Sequence, residues 1–279
     1  MNPVGLYDSG FGGLTVMRQV RAALPTADLV YLGDSGRAPY GGRDTYVILD
    51  LAEQCVEALF ATGCSLVVVA CHTVSSVALR HLQQRYAGGG RAVLGVTIPA
   101  AEQAVTMGQR IGFVGTARTV ASGTFTTECH KLAPVEVIER AAPLLAPLVE
   151  EGWEASDVGR AAVARYLSGL PPLDVLVLGC THFPLLKPIF DELAPCPVLD
   201  PAPGVASRLA DWLARHPEVA TTSGRTTRFL STGDPLAFAH HGARFLGAPV
   251  HRVETLHEER GHLVPTTRPA PRGQVVRGS

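Results

Sequence analysis

Leu66-Val-Val-Val-Ala-Cys71-His72-Thr73 is an unbroken apolar run that ends in a cysteine followed by imidazole and hydroxyl side chains. A second stretch of the same kind is Val175-Leu-Val-Leu-Gly-Cys180-Thr181-His182. Continuous Val/Leu runs without polar alternation are typical of parallel strands that are covered on both faces. Each run therefore predicts a buried strand that delivers a thiol to the start of a following helix.

Similar apolar runs recur along the chain, with helical periodicity between them. Strands are predicted over 3–7, 29–33, 66–70, 92–96, 111–115, 135–138, 175–179, 197–199 and 228–232. Helices are predicted over 44–61, 75–86 and 205–215. The first of these helices places on one face Val47, Leu51, Cys55, Ala58 and Leu59. This alternation predicts an α/β fold whose mostly parallel sheets are flanked by helices.

A weak internal repeat accompanies the pattern. Val4-Gly-Leu-Tyr-Asp-Ser9 aligns with Ile111-Gly-Phe-Val-Gly-Thr116, and Cys71 aligns with Cys180, at offsets of 107 and 109 residues. Regular strand–helix units also produce such spacing by chance, so a coincidence stays open. A duplication predicts two similar domains, residues 1–97 with 206–264 and residues 98–205, with the active site in the cleft between them. The remaining segment 265–279 has three prolines, three arginines and no acidic residue, which predicts a disordered tail.

The composition restricts the class of protein. The 279 residues are 46% hydrophobic and 18% charged, with a net charge of −1, so nothing indicates a nucleic-acid or membrane partner. The chain shows no signal-peptide pattern and no run of membrane-spanning length. Its six cysteines form no C-x-x-C pair. We therefore expect a cytoplasmic protein with reduced thiols.

Strand ends carry most of the remaining unusual residues. In Asp8-Ser9-Gly10-Phe11-Gly12-Gly13 the glycines let backbone N–H groups approach a ligand, although either of the first two residues can equally be a helix N-cap. The glycine-rich loop 33–42 is expected at the ligand crevice of an α/β sheet, with a plain connector as the alternative. Thr116 and Thr119 occupy the equivalent junction of the second half, where capping is again the alternative.

The two strand-end cysteines admit several chemistries. A helix N-terminus favours thiolate, and two such thiols facing one substrate would suit moving a proton on and off a carbon. Zinc bound by Cys71, His72, Cys180 and His182 competes with this, but neither pair has finger spacing and no metal is predicted. A cysteine hydrolase would need one nucleophilic thiol rather than two related ones. The other four cysteines fit small buried hydrophobes.

Taken together, the motifs resemble the glutamate racemases of the cofactor-independent aspartate/glutamate racemase superfamily. The matching stretches keep the family's order and span about residues 4 to 190. They are Leu6-Tyr7-Asp8-Ser9-Gly10-Phe11-Gly12-Gly13-Leu14-Thr15, Gly33-Asp34 with Pro39-Tyr40-Gly41, Ala70-Cys71-His72-Thr73, Gly115-Thr116 with Thr119, Pro147-Leu148-Val149-Glu150 and Leu178-Gly179-Cys180-Thr181-His182-Phe183-Pro184-Leu185-Leu186. Ser231-Thr232-Gly233-Asp234 is a weaker match.

The resemblance implies a racemase that needs no cofactor. Cys71 is expected to deprotonate D-glutamate and Cys180 L-glutamate, with Asp8 assisting Cys71, and His182, oriented by Glu150, assisting Cys180. The substrate-binding residues implied are Asp8, Ser9, Pro39, Tyr40, Gly41, His72, Thr73, Thr116, Thr119, Thr181 and His182. The product would be D-glutamate for bacterial peptidoglycan, made in the cytoplasm. A homodimer is left open.

One residue departs from the family pattern. His72 occupies the position of an asparagine whose amide contacts the substrate's backbone groups in the family, and an imidazole is bulkier and titrates. Substrate choice is therefore left open between glutamate, aspartate and another amino acid. A non-catalytic relative that binds an amino acid is the alternative from another class.

Overall fold

The computed structural model describes residues 2–219 and 223–266 of the chain. Its strands are β1 Val4–Asp8, β2 Leu29–Gly33, β3 Leu66–Val69, β4 Ala92–Gly95, β5 Arg110–Gly115, β6 Glu136–Ala141, β7 Val175–Gly179, β8 Val198–Leu199, β9 Thr227–Ser231, β10 Val253–Glu259 and β11 His262–Pro265. Its helices are α1 Leu14–Ala23, α2 Thr45–Ala61, α3 His72–Val77, α4 Leu79–Arg85, α5 Thr97–Val105, α6 Ala117–Ala121, α7 Thr124–Leu132, α8 Leu145–Glu150, α9 Asp157–Leu167, α10 Lys187–Leu193, α11 Ala202–Arg215 and α12 Pro235–Leu246. Every described helix is too short or too polar to span a bilayer.

The strands form two sheets of related topology. Across residues 2–219 and 223–266, the larger sheet has the spatial order β11-β10-β9-β2-β1-β3-β4 and the smaller sheet the order β6-β5-β7-β8. The arrangement β2-β1-β3-β4 is thus repeated as β6-β5-β7-β8, which is the structural counterpart of the weak sequence repeat. All described pairings are parallel except that of β10 with β11. The predicted α/β class, with two similar helix-flanked halves, is confirmed.

Strand register places the strand-end cysteines at the carboxyl edges of the two sheets. In the larger sheet Asp8 pairs with Gly33, and the Ala70 N–H continues the ladder by donating to Tyr7 O (2.8 Å). In the smaller sheet Gly115 pairs with Gly179. Ligands of parallel sheets bind at this edge.

A shared apolar core fixes the two halves against each other. The largest cluster of buried side chains includes Leu6 and Met17 from the larger-sheet half together with Leu178 and Phe183 from the smaller-sheet half. A second cluster lies around α2 and β3, and a third around β5 and α7. Because interiors are close-packed, the shared cluster determines how the two carboxyl edges face each other.

The predicted domain boundaries need adjustment. The boundary between residues 205 and 206 falls inside α11, a continuous helix whose buried face packs on α1. We propose that the second domain ends before Ala202, because one helix moves as a unit.

The predicted tail begins too early, since β11 extends to Pro265 and the Thr266 N–H donates to Thr255 O (2.8 Å). Residues 267–279 of that prediction lie outside the described residues.

Candidate active site

A cavity of about 200 Å³ lies where the carboxyl edges of the two sheets meet. It is lined by Ser9, Gly10, Ala38, Pro39, Tyr40, Gly41, Gly42, Cys71, His72, Thr73, Thr116, Ala117, Ala142, Pro143, Ala146, Pro147, Glu150, Cys180, Thr181 and His182. Of the residues predicted from the sequence, only Asp8 and Thr119 are outside this lining, and both are buried behind it. The cavity therefore brings together residues from both halves of the chain.

Cys71 lies beside a buried carboxylate. Asp8 is fully buried, and its Oδ1 and Oδ2 accept from Gly10 N (2.9 Å) and Thr181 Oγ1 (3.2 Å). Burial raises the pKa of Asp8. Burial and the Asp8 charge together raise the pKa of Cys71 to about 12. The contact of the thiol with Ser9 Oγ (3.5 Å) lowers this pKa, but by less. The expectation that the following helix favours thiolate is wrong for Cys71 in this state, because α3 has only six residues and desolvation dominates.

Cys180 lies beside a buried imidazole instead. The Cys180 Sγ is 3.9 Å from His182 Nδ1, and His182 Nε2 is 2.8 Å from Glu150 Oε1. Burial opposes a charge on the ring, but hydrogen bonds to Cys180 and Glu150 outweigh it and raise the pKa of His182 to about 10. A protonated His182 therefore faces Cys180, whereas a carboxylate faces Cys71.

Three threonine hydroxyls form a cluster at the cavity wall. Thr73 Oγ1 lies 3.0 Å from Thr116 Oγ1 and 3.2 Å from Thr119 Oγ1, and the last two are 2.8 Å apart. Thr116 also caps α6, since its Oγ1 accepts from Thr119 N (3.2 Å). The capping interpretation of Thr116 is thus confirmed, and the same residue lines the cavity. Hydroxyl donors of this kind suit a carboxylate ligand.

The segment 39–41 closes one side of the cavity. Tyr40 is buried, its hydroxyl donates to the buried carboxylate of Asp34, and it accepts from Tyr7 OH (3.2 Å). The next residue, Gly41, is held to the other half of the molecule, because its carbonyl accepts from Arg118 N (3.0 Å). The Tyr40 ring is therefore a fixed wall of the site, with its hydroxyl turned to the protein interior.

His72 is buried and neutral. It is 5% exposed, its ring lies 6.4 Å from that of Phe113, and burial lowers its pKa to about 4. Its Nδ1 has no hydrogen-bond partner among the described residues. An imidazole that stays neutral at physiological pH preserves the uncharged character of an amide at this position.

Gly10, Gly12 and Gly13 lie in the loop between β1 and α1, and their structural role differs from the predicted one. A Cβ on Gly12 would lie 2.2 Å from Thr181 Oγ1 and 2.6 Å from His182 Nδ1, and one on Gly13 would lie 2.5 Å from Asp8 Cβ. Of these three glycines, only Gly10 lines the cavity. Neither Asp8 nor its neighbour caps α1, whose N-cap is Gly13. These glycines mainly allow close packing beneath the site.

Some residues of the cavity were not predicted from the sequence. Ala142, Pro143 and Ala146 also line the cavity, but no sequence signal marks them, because small apolar residues occur everywhere in such a chain. The zinc alternative finds no support: within the described ranges no group of three or more His, Cys, Asp or Glu side chains is placed to hold a metal. All six cysteines lie in those ranges and are free thiols.

Comparisons with known proteins all point to one family. The family model described as Asp/Glu/Hydantoin racemase matches residues 14–209. A glutamate racemase of Neisseria gonorrhoeae is 38% identical over 259 residues, which cover 90% of this chain and 95% of that protein. A crystal structure of glutamate racemase from Francisella tularensis in complex with D-glutamate has a TM-score of 0.86 at 28% identity, covering 91% of this chain and 97% of that one. A crystal structure of glutamate racemase from Thermus thermophilus in complex with β-chloro-D-alanine has a TM-score of 0.81 at 35% identity. The match covers 92% of this chain and 97% of that one. The resemblance drawn from the motifs is thereby confirmed, and the chain belongs to the Asp/Glu/hydantoin racemase family.

Proposed function

We propose that this protein interconverts L- and D-glutamate by proton transfer at Cα between two thiols. The observation that carries the proposal is that Cys71 and Cys180, from different halves of the chain, line one small cavity and have opposite electrostatic partners. The membership of the chain in a racemase family and the D-glutamate bound to the Francisella relative support it.

The proton path follows from the charges. In the L-to-D direction, the Cys180 thiolate, stabilised by protonated His182, takes the Cα proton and becomes a thiol. The Cys71 thiol then gives its proton to the opposite face of the carbanion and becomes a thiolate. The reverse reaction starts from that product state, so the two sulfurs exchange roles. Placement and electrostatics must supply the catalysis, because no electron sink takes part.

The polar wall suits an amino acid with two carboxylates. The lining residues include neither lysine nor arginine, so hydroxyl and backbone donors would bind the carboxylates. We assign this role to Ser9, Thr73, Thr116 and Thr181. A cavity of about 200 Å³ is smaller than the roughly 300–1,000 Å³ of sites for drug-sized ligands, as expected for a small metabolite.

Deuterium exchange tests the proposal. Each enantiomer of glutamate and aspartate is incubated with the enzyme in D₂O, and NMR and chiral chromatography follow the Cα–H signal and the enantiomer ratio. We expect both enantiomers of glutamate to exchange Cα–H and to reach a 1:1 mixture, with much slower exchange of aspartate. Preferential exchange of aspartate would reassign the substrate. Thermal stabilisation by glutamate without any exchange would favour a binding protein.

The cellular setting is also part of the proposal. The product, D-glutamate, would supply bacterial peptidoglycan, and the free state of the cysteines is compatible with the cytoplasm. A homodimer stays a prediction, and exposed apolar side chains such as Tyr46 and Leu236 are available for contact with a second copy. Light scattering at several protein concentrations would measure the oligomeric state.

A further inference from the structure

Helix α12, from the larger-sheet half, contacts the Glu150–His182 pair through two consecutive residues. Arg244 donates to the backbone carbonyls of Val149 (Nη2 to O, 2.9 Å) and Glu150 (Nη1 to O, 3.3 Å), the last two residues of α8. The next residue, Phe245, packs edge-on against the imidazole of His182, with ring centroids 5.1 Å apart. One helix thus touches both members of the pair that faces Cys180.

Arg244 is well suited to holding the end of α8. Its Nη2 is 2.5 Å from Glu154 Oε1 in a partly buried ion pair, so the guanidinium is itself fixed. A planar guanidinium can serve two carbonyls and a carboxylate at once, which a lysine ammonium cannot do with the same geometry. Because α8 has only six residues, its last turn depends on such outside contacts. That last turn carries Glu150.

We propose that Arg244 is a positioning residue for the Cys180 side of the site: it holds the end of α8 so that Glu150 keeps His182 directed at the Cys180 sulfur. The proposal rests on the racemase function proposed above. Arg244 does not line the cavity, so its effect reaches the substrate only through Glu150 and His182. Because Arg244 belongs to the larger-sheet half, the positions of Glu150 and His182 beside Cys180 also depend on how the two halves of the molecule are joined.

The test uses Arg244→Met, which removes the donors but keeps an apolar side chain of similar length. The two enantiomers have equal free energies, so kcat/KM must fall by the same factor in both directions, and we expect a fall of about 10- to 100-fold. Isotope effects with [2-²H]glutamate then locate the slowed step. The deuterium isotope effect on kcat/KM should become larger for the L enantiomer, whose deuteron Cys180 removes. It should become smaller for the D enantiomer, whose deuteron Cys71 removes.

Two further variants sharpen the result. Arg244→Lys keeps the charge and the ion pair with Glu154, so a smaller loss with the same isotope pattern is expected, and it carries the test if Arg244→Met does not fold. Arg228→Met is the matched control, because Arg228 forms a comparable ion pair with Glu254 at the amino end of β9, away from the site. Wild-type kinetics in both Arg244 variants would overturn the proposal. So would a loss of activity that follows a lower melting temperature while the isotope effects stay unchanged. Absence of Cα exchange in the wild-type enzyme would instead reject the racemase function itself.

Discussion

At the scale of single residues, the site gives two chemically identical thiols different charge partners. Asp8 beside Cys71 opposes a negative sulfur, whereas protonated His182 beside Cys180 supports one. A base is most effective when its proton affinity suits the operating pH, so this difference supports the proposal that Cys180 is the base and Cys71 the acid in the L-to-D direction. Ligand binding must then change the surroundings of Cys71 before it can act as a base.

Replacement of either thiol tests this division of labour. Cys71→Ser and Cys180→Ser should each lower racemisation by about 10³-fold or more, because a serine hydroxyl is a far weaker acid than a thiol and its alkoxide is scarcely populated near neutral pH. Circular dichroism at a wavelength where the enantiomers differ measures the rate. Cys129→Ser is the control, since Cys129 is buried outside the cavity. Full activity in either active-site variant would reject a two-thiol mechanism.

His72 should make the fold sensitive to acid. Its pKa is about 4 in the folded chain and roughly 6.5 in the unfolded chain. Between these pH values His72 is therefore protonated in the unfolded chain but stays neutral in the folded chain. Wild-type stability therefore falls as the pH drops from about 6.5 to 4. Because asparagine does not titrate, the free energy of unfolding of His72→Asn should improve relative to wild type by up to about 3 kcal/mol over this range. Urea denaturation of both proteins at several pH values checks this, and a difference independent of pH would contradict it.

At the scale of elements, the apolar runs predicted the buried parallel strands well and the exposed parts poorly. The helix predicted over 44–61 is α2 at Thr45–Ala61, but Val47, expected on its buried face, is 41% exposed, and Ile48 is buried instead. The hairpin of β10 and β11 was missed altogether, because its mixed charged and apolar pattern lacks a continuous apolar run. Half-exposed antiparallel strands show such alternation, and it is a weaker signal. Its turn is Arg260-Gly261, between the last residue of β10 and the first residue of β11.

The site was predicted better than the packing beneath it. Motif residues such as Cys71, Thr116 and His182 line the cavity because their chemistry is visible in the sequence. The contacts between α12 and α8 could not be foreseen, since they join residues 94 and 95 positions apart and use common residue types. Long-range packing is set by the whole chain rather than by any local pattern.

The loop between β1 and α1 offers a test at this scale. In Gly12→Ala, the new Cβ would meet Thr181 Oγ1 and His182 Nδ1 at less than 3 Å, so the turn after β7 must move. A shift of about 1 Å at the general-base assembly should lower kcat by about 10²-fold. Stopped-time racemisation assays measure this, and thermal unfolding of the same samples shows whether the fold is retained. An unchanged kcat in a folded variant would show that the turn can yield without cost to catalysis.

At the scale of the whole molecule, two arginines cross between the halves on different sides of the cavity. Arg244 joins α12 to α8, and Arg118 joins α6 to the loop that carries Tyr40 and Gly41. The shared apolar core sets the overall geometry, while these polar contacts fix the walls of the cavity itself. Movement of either wall would change access to the cavity, and polar contacts are more easily exchanged for water than a packed core.

Arg118 is therefore expected to control access to the cavity. Its Nε donates to Arg43 O (2.7 Å), its N–H donates to Gly41 O (3.0 Å), and its side chain is 28% exposed. Arg118→Met keeps the backbone contact but loses the side-chain contact, so the loop should open more often and KM for both enantiomers should rise by about 10-fold, with a smaller change in kcat. Arg110→Met is the matched control, because Arg110 pairs with Glu136 at the amino end of β5, the edge of the sheet opposite the cavity. Steady-state kinetics in both directions and hydrogen exchange of residues 39–43 provide the two readouts. Unchanged KM together with unchanged exchange in the loop would show that the Arg118 side chain does not hold the wall closed, and that the backbone contact at Gly41 is sufficient.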